Sequence, residues 1–325
     1  MRKKLARAGE RGVAKAIALP VLLLTGLVGY AGAQTPSSAS FRISVDVDLV
    51  VLHATVTDRQ GGFVSDVNEQ GFEVYEDGVA QRIRLFKNED VPVTVGLVVD
   101  HSSTMWPKLA EVSAAARTFV RSSNPQDEMF VVNFNEKVSL GLPGTIRFTD
   151  NTAELQQAIG AGPAEGQTAL YDAIAKALEE LQAGSRDKKV LIVVSDGGDN
   201  ASTHSLAQVM KLAAQSSAVI YTVGIFDQGD PDRNPGVLKH LAQATGGEAF
   251  FPGEIGEVVA ICERIARDIR HQYTIGYVPS NVTHTGAYRT IRVVARAEDH
   301  DKLSVRTRTG YIPGGEPMLA GKSAK

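Results

Sequence analysis

Four short runs of this chain are almost unbroken apolar sequence: VTVGLVV (93–99), EMFVVNF (128–134), KVLIVVS (189–195) and VIYTVGIF (219–226). A strand with one face in water alternates apolar and polar residues. A run without that alternation is buried on both faces, the situation of strands in a parallel sheet. Helical periodicity fills the gaps. Met105, Leu109, Val112, Ala116 and Phe119 recur at steps of 4, 3, 4 and 3, and Thr168–Gln182, Leu206–Ser217 and Pro235–Thr245 read as further helices, the last closed by Gly246-Gly247. Strand and helix in alternation imply an open, doubly wound, mostly parallel α/β sheet.

Period-two patterning lies on either side of this centre. Phe41–Val47, Val50–Thr57 and Phe72–Glu76 read as strands, Asp77-Gly78 as a tight turn, and Gln81–Leu85 as the returning strand. After a helix near 255–270, Gln272–Val278, Tyr288–Ala297 and Leu303–Thr309 return to the same pattern. Neither end offers enough strands to close a core alone. The expectation is that both ends pair into one antiparallel, β-sandwich-like unit with the α/β domain inserted. The expected division is 34–40 linker, 41–90 N-terminal β unit, 91–271 α/β domain, 272–313 C-terminal strands and 314–325 disordered tail.

Residues 1–33 stand apart. Arg2, Lys3, Lys4, Arg7, Arg11 and Lys15 precede an apolar run that closes in Ala31-Gly32-Ala33. This is the pattern of a secretory signal peptide, with an uncleaved anchor as the competing reading. Export to the periplasm or beyond is therefore expected, with no membrane span after cleavage. Removal of this segment takes six basic and one acidic side chain, moving the net charge from −3 to −8. An acidic chain argues against nucleic acid as a partner. The single cysteine, Cys262, excludes an internal disulfide, and its apolar helical neighbours mark it as a buried, inert thiol.

Ligands of open α/β sheets bind outside the carboxyl ends of the strands, where the strand order reverses. Asp100 follows the first apolar run and Asp196 the third. With an order 3-2-1-4-5 these strands are neighbours and the two acids face each other. Converging carboxylates repel, and a cation resolves the conflict. The nearby donors Ser102, Thr104 and Thr168 are hard oxygens, which suit Mg²⁺, Mn²⁺ or Ca²⁺ rather than Zn²⁺.

Asp100-x-Ser102-x-Thr104, Thr168 and Asp196 resemble the metal-ion-dependent adhesion site of von Willebrand factor type A domains, over roughly residues 92–270. The resemblance implies three metal loops, the first built by Asp100, Ser102 and Thr104, the second by Thr168 and the third by Asp196, often through water. It also implies a protein partner whose carboxylate completes the metal shell. Two positions depart from the family pattern: Thr104 stands in place of a serine, and Ser103 where glycine is frequent. Val47–Leu52, Phe72–Gly78, Tyr273–Tyr277 and Arg308–Tyr311 extend the likeness to a group of exported bacterial proteins, common in Acidobacteria, related to von Willebrand A domains.

Other readings of the same residues remain. Ser102, Ser103 and Thr104 suit a helix cap as well as a metal loop. A structural envelope module with a vestigial metal loop is the alternative function. An Mg²⁺-dependent phosphohydrolase is a weaker one, because Ser102 stands where an acid-base carboxylate is needed. No Gly-x-Ser-x-Gly elbow marks a serine hydrolase, and no enzyme is expected. Asp66-x-Asn68-x-Gln70-Gly71 superficially resembles a Ca²⁺ loop, but its strand-like flanks make it a solvated turn. Asn281-Val282-Thr283 fits a glycosylation acceptor. Trp106, the one tryptophan, is read as helix packing or as a rim contact with a partner.

Overall fold

A computed structural model describes residues 49–226, 229, 233–281, 286–300 and 302–314. The expected signal peptide, the linker, the strand at 41–47, Val282 and Thr283 of the acceptor sequence and the tail beyond Gly314 lie outside the described residues.

The centre is a six-stranded sheet. Its strands are β5 (Val93–Asp100), β6 (Glu128–Phe134), β7 (Val138–Leu140), β8 (Lys188–Ser195), β9 (Val219–Gly224) and β10 (Ala249–Phe250), in the spatial order β10-β9-β8-β5-β6-β7. All pairs are parallel except β6 with β7. The four apolar runs are four of these strands, and every residue of β5 is buried. Six helices, α1 (Leu109–Ser122), α2 (Thr152–Ile159), α3 (Leu170–Gln182), α4 (Leu206–Gln215), α5 (Pro235–Thr245) and α6 (Val258–Arg270), pack their apolar stripes against the sheet. The doubly wound α/β class is as expected from the sequence.

The remaining strands make two antiparallel sheets. β1 (Val50–Thr57), β4 (Ile83–Lys87), β11 (Tyr273–Tyr277) and β13 (Ser304–Arg306) form one, in the order β13-β1-β11-β4. β2 (Phe72–Glu76), β3 (Val79–Gln81), β12 (Arg289–Ala295) and β14 (Gly310–Tyr311) form the other, in the order β14-β12-β2-β3. Each sheet joins strands from before and after the α/β segment. Leu52, Val56, Val74, Tyr273, Ile275 and Val293 share one core between the two. Asp77 (φ 48°) and Gly78 (φ 81°) both occupy the left-handed region, the geometry of a two-residue hairpin turn between β2 and β3. One expectation needs correction: Gln81–Leu85 is not a single strand. Gln81 ends β3 against β2, and Ile83 begins β4 against β11, so the chain changes sheets at Arg82. Gln81 is buried at this corner, where its Nε2 donates to Ser280 Oγ at 3.0 Å.

Buried polar groups tie the sandwich together and join it to α6. Glu76 accepts from Arg289 at 2.8 Å, Tyr277 at 2.7 Å and Tyr311 at 2.9 Å. Asp268 of α6 accepts from Thr55 Oγ1 of β1 at 2.6 Å, from Tyr221 of β9 at 2.9 Å and from Arg306 of β13. Cys262 is buried, and burial pushes its thiol up to about 12. In the loop that superficially resembled a Ca²⁺ site, Asn68 accepts from Gly71 N–H and caps the single turn Glu69–Gly71. Among the described residues no helix is long and apolar enough to cross a membrane.

His53 on β1 is buried; that burial, with the nearby Lys188 and Arg308 charges, lowers its pKa from 6.5 to about 3. A depressed folded-state pKa gives stability that is present above pH 6.5 and drains away as the pH falls toward 3. The expected loss approaches about 1.4 kcal/mol per pH unit within that window. Denaturant titrations from pH 7 to 4 should show this slope, and His53→Gln should flatten it. A variant with the wild-type slope would assign acid sensitivity to other groups.

Candidate metal centre

β5 and β8 run parallel and side by side, with Val99 opposite Val194, so their carboxyl ends leave the sheet together. Asp100 ends β5, Ser195 ends β8, and Asp196 is the next residue. Asp100 is fully buried. Its Oδ1 accepts from Ser102 N–H at 2.8 Å, and its Oδ2 from Ser195 Oγ at 2.6 Å. Ser102 Oγ lies 3.2 Å from Thr104 Oγ1, which donates to Asp196 Oδ2 at 2.9 Å. Asp196 Oδ1 accepts from Gly198 N–H at 2.9 Å. Four of the five expected ligands therefore form one hydrogen-bonded chain from β5 to β8.

Thr168 reaches the same rim through main-chain contacts. Its N–H donates to Asn200 Oδ1 at 2.9 Å, and its carbonyl accepts from Asn200 N–H at 3.0 Å and Ala201 N–H at 3.1 Å. Ser103, one of the two departures, donates through N–H and Oγ to Gly166 O at 3.4 and 3.3 Å, which draws the first loop onto the second. The capping reading is not what the structure shows for this segment. α1 starts at Leu109 after a 3₁₀ turn, Trp106–Lys108, and neither has a side-chain cap. Ser102 and Thr104 lie ahead of that turn; their hydroxyls meet each other, and that of Thr104 donates to Asp196.

Burial raises the Asp100 carboxyl to about 6, against the lowering effect of its Ser102 and Ser195 hydrogen bonds, and the charge of Asp196 adds to the rise. The hydrogen bonds to both carboxylates come, among the described residues, from hydroxyls and peptide N–H groups. Two converging acids with neutral donors make a site of incomplete charge compensation. Its donors are all oxygen, which fits a hard divalent cation. Among the described residues no three His, Cys, Asp or Glu side chains converge in a metal-holding group, so an ion here would rest on two carboxylates, hydroxyls and water.

Sequence reasoning missed three contributors, one of them the Asn200 that holds Thr168. Ser195 binds Asp100 and also accepts from Gly197 N–H at 3.0 Å; the signal was a hydroxyl at the end of an apolar strand, next to the acid. Behind Thr168, Asp172 of α3 accepts from the N–H groups of Thr203 and His204 at 2.9 and 2.8 Å and pairs with His204 Nδ1 at 2.7 Å. Against desolvation, which would raise it, these bonds hold Asp172 down to about 2. They fasten the 199–204 segment to the start of α3, where Thr168 sits.

The open sheet and its acid-and-hydroxyl rim define the class of domain. The von Willebrand factor type A domain family matches residues 94–260, over half of the chain, and this chain belongs to that family. An uncharacterized protein of Synechocystis sp. is 26% identical over 167 residues, which are 50% of this chain and 38% of that protein. The chain thus matches well under half the length of that relative. Among solved structures, a von Willebrand factor type A protein from Catenulispora acidiphila is 13% identical with a TM-score of 0.48, covering 84% of this chain and 76% of its own. The vWF domain of the type V pili tip protein Mfa5 from Porphyromonas gingivalis is 18% identical with a TM-score of 0.46, covering 55% and 95%. Proximal thread matrix protein 1 from the mussel byssus, with a zinc-occupied MIDAS motif, is 17% identical with a TM-score of 0.46, covering 56% and 48%.

Proposed function

We propose that the chain is an exported protein-binding module that captures partners through a metal-ion-dependent adhesion site. Asp100, Ser102, Thr104, Thr168 and Asp196 hold Mg²⁺ or Mn²⁺, with Ca²⁺ as a further candidate. A carboxylate from a partner protein completes the shell. The observation that carries this reading is the chain of contacts from Asp100 through Ser102 and Thr104 to Asp196, which joins two buried acids by neutral donors alone. When bound, the ion supplies the positive charge that this pair lacks and an open position for an incoming anion. The protein's part is to hold the oxygens in place: Ser195 and Gly198 fix the carboxylates, and Gly166 and Asn200 fix the loops.

Isothermal calorimetry of the chain with MgCl₂ and MnCl₂ tests the site. The wild-type chain should bind one ion, and Asp100→Ala should weaken binding by at least about tenfold, as loss of a direct ligand requires. Partner capture from an envelope fraction should disappear with EDTA and return with Mg²⁺. Capture that survives chelation would favour the structural-module reading, and ion binding unchanged by Asp100→Ala would refute the ligand assignment.

A further inference from the structure

Trp106 lies two residues beyond Thr104 and is 65% exposed, an unusual position for the chain's one tryptophan. Its backbone is held firmly. Met105 beside it is fully buried, and Met105 N–H donates to Ser102 O at 2.9 Å. Lys108 N–H donates to Met105 O at 2.9 Å, and Lys108 Nζ reaches Ile225 O, at the exit of β9, at 3.5 Å. The indole is therefore carried into solvent by an ordered turn, which also ties the first metal loop to the end of β9.

A second aromatic group stands on the same rim. Strand register places Phe250 opposite Val223, Val223 opposite Val194 and Val194 opposite Val99. One residue further, Ser195 stands opposite Gly224, and Asp100 and Phe251 follow Val99 and Phe250 in the chain. Phe251 is 41% exposed, and Phe226 stacks on it with ring centroids 5.6 Å apart. Three strand spacings separate Val99 from Phe250, roughly 14 Å, the reach of about four residues of extended peptide. Trp106, two residues beyond Thr104 in the turn that reaches the exit of β9, and the Phe226–Phe251 pair next to that exit both flank the proposed cation position.

We infer that this rim selects acidic peptides whose acidic residue is flanked by large apolar or aromatic side chains, with Trp106 as the specificity-determining contact. The inference rests on the metal reading above and adds the class of partner. The carboxylate supplies the charge the ion needs. The flanking side chains cover exposed rings that water otherwise wets, and preordered aromatic groups lose little entropy on binding.

Two probes test it: acetyl-Phe-Asp-Phe-amide and acetyl-Gly-Asp-Gly-amide, titrated calorimetrically into the full chain in saturating MgCl₂. The first should bind about fivefold tighter or more, the scale of one good aromatic contact. Its binding should also shift the emission of the single tryptophan. Trp106→Ala should cut the affinity ratio to less than half its wild-type value and leave the heat of Mg²⁺ binding unchanged; Trp106→Phe should keep most of the preference. Val79→Ala, a distant exposed apolar residue on β3, should keep all of it. Equal affinities for the two peptides, or a ratio that survives Trp106→Ala, overturn the inference and leave the metal site standing. Absence of Mg²⁺ heat from the wild-type chain overturns the metal reading, and this inference with it.

Discussion

Asp268→Ala is expected to destabilise the folded chain by about 3 kcal/mol in a denaturant titration, the low end of the range for removing one partner from a buried ion pair, because the Arg306 side chain is partly exposed. Asp268 is 1% exposed on α6 and is where the α/β domain meets the sandwich. It accepts from Thr55, Tyr221 and Arg306, and Gln272 Nε2 adds contacts to the first two at 3.2 and 3.1 Å. Alanine leaves a guanidinium and two hydroxyls without their shared acceptor. Arg306 keeps Gly246 O at 2.7 Å and Glu248 at 3.5 Å, which holds the loss below that of a wholly stranded charge. The double variant Asp268→Ala with Arg306→Leu should be more stable than Asp268→Ala alone, because the uncompensated cation goes too. A loss under about 1 kcal/mol for Asp268→Ala would mean that water satisfies these groups, and the junction would then be weaker than its contacts imply.

The α/β centre was legible because burial on both faces leaves a plain trace. β5, β6, β8 and β9 are the four apolar runs, and Asn234 and Gly246 cap the ends of α5 around its Pro235 start. Short elements left weaker traces. α2 has eight residues, too few for a clear stripe, and its one sharp signal is the Asn151 cap on Ala153 and Glu154. β7 and β10 have three and two residues, at the sheet's edges, where pairing rather than composition decides. The break at Arg82 was invisible because β3 and β4 share the same local pattern and differ only in their distant partners. Gly247 read only as part of a helix stop. In the fold a Cβ there would lie 2.0 Å from Ile220 O, so the position needs glycine for close backbone approach as well.

The geometry of the candidate site was legible in part, for a different reason. Its spacing places ligand-type residues at the ends of strands that topology makes adjacent, and Asp100, Ser102, Thr104 and Asp196 do form one chain of contacts. What spacing alone could not convey was the supporting set. Ser195, Asn200 and Asp172 act across loops separated by about 30 or more residues, and their roles follow from the folded geometry. The exposure of Trp106 belongs to the same group: the sequence left helix packing and a rim contact both open, and the residue lies in the 3₁₀ turn before α1 with its side chain exposed.

Asp100→Asn should have opposite effects on stability and on function. The folded state raises the Asp100 pKa from 3.8 to about 6, chiefly by burial. A raised carboxyl pKa means that its contribution to stability is fully present below pH 3.8 and is lost as the pH rises through 6. At pH 7 the metal-free chain therefore carries the whole penalty, on the order of 3 kcal/mol at most. Asparagine has the shape of the protonated acid and can accept from Ser102 N–H as the carboxylate does. In EDTA at pH 7 the variant should thus be more stable than wild type by about 1–3 kcal/mol, and the two should converge near pH 4. Magnesium should reverse the order. At a free concentration a hundredfold above its Kd, the ion should stabilise the wild-type chain by about 2.7 kcal/mol and barely move the variant. Denaturant titrations in EDTA and in MgCl₂ read both effects from the same two proteins. A variant less stable than wild type in EDTA would show that hydrogen bonding at Asp100 outweighs the burial of its charge. An equal magnesium response in both proteins would place the ion elsewhere. The expected crossing would mark Asp100 as a residue whose buried charge costs stability and whose proposed role is to hold an ion.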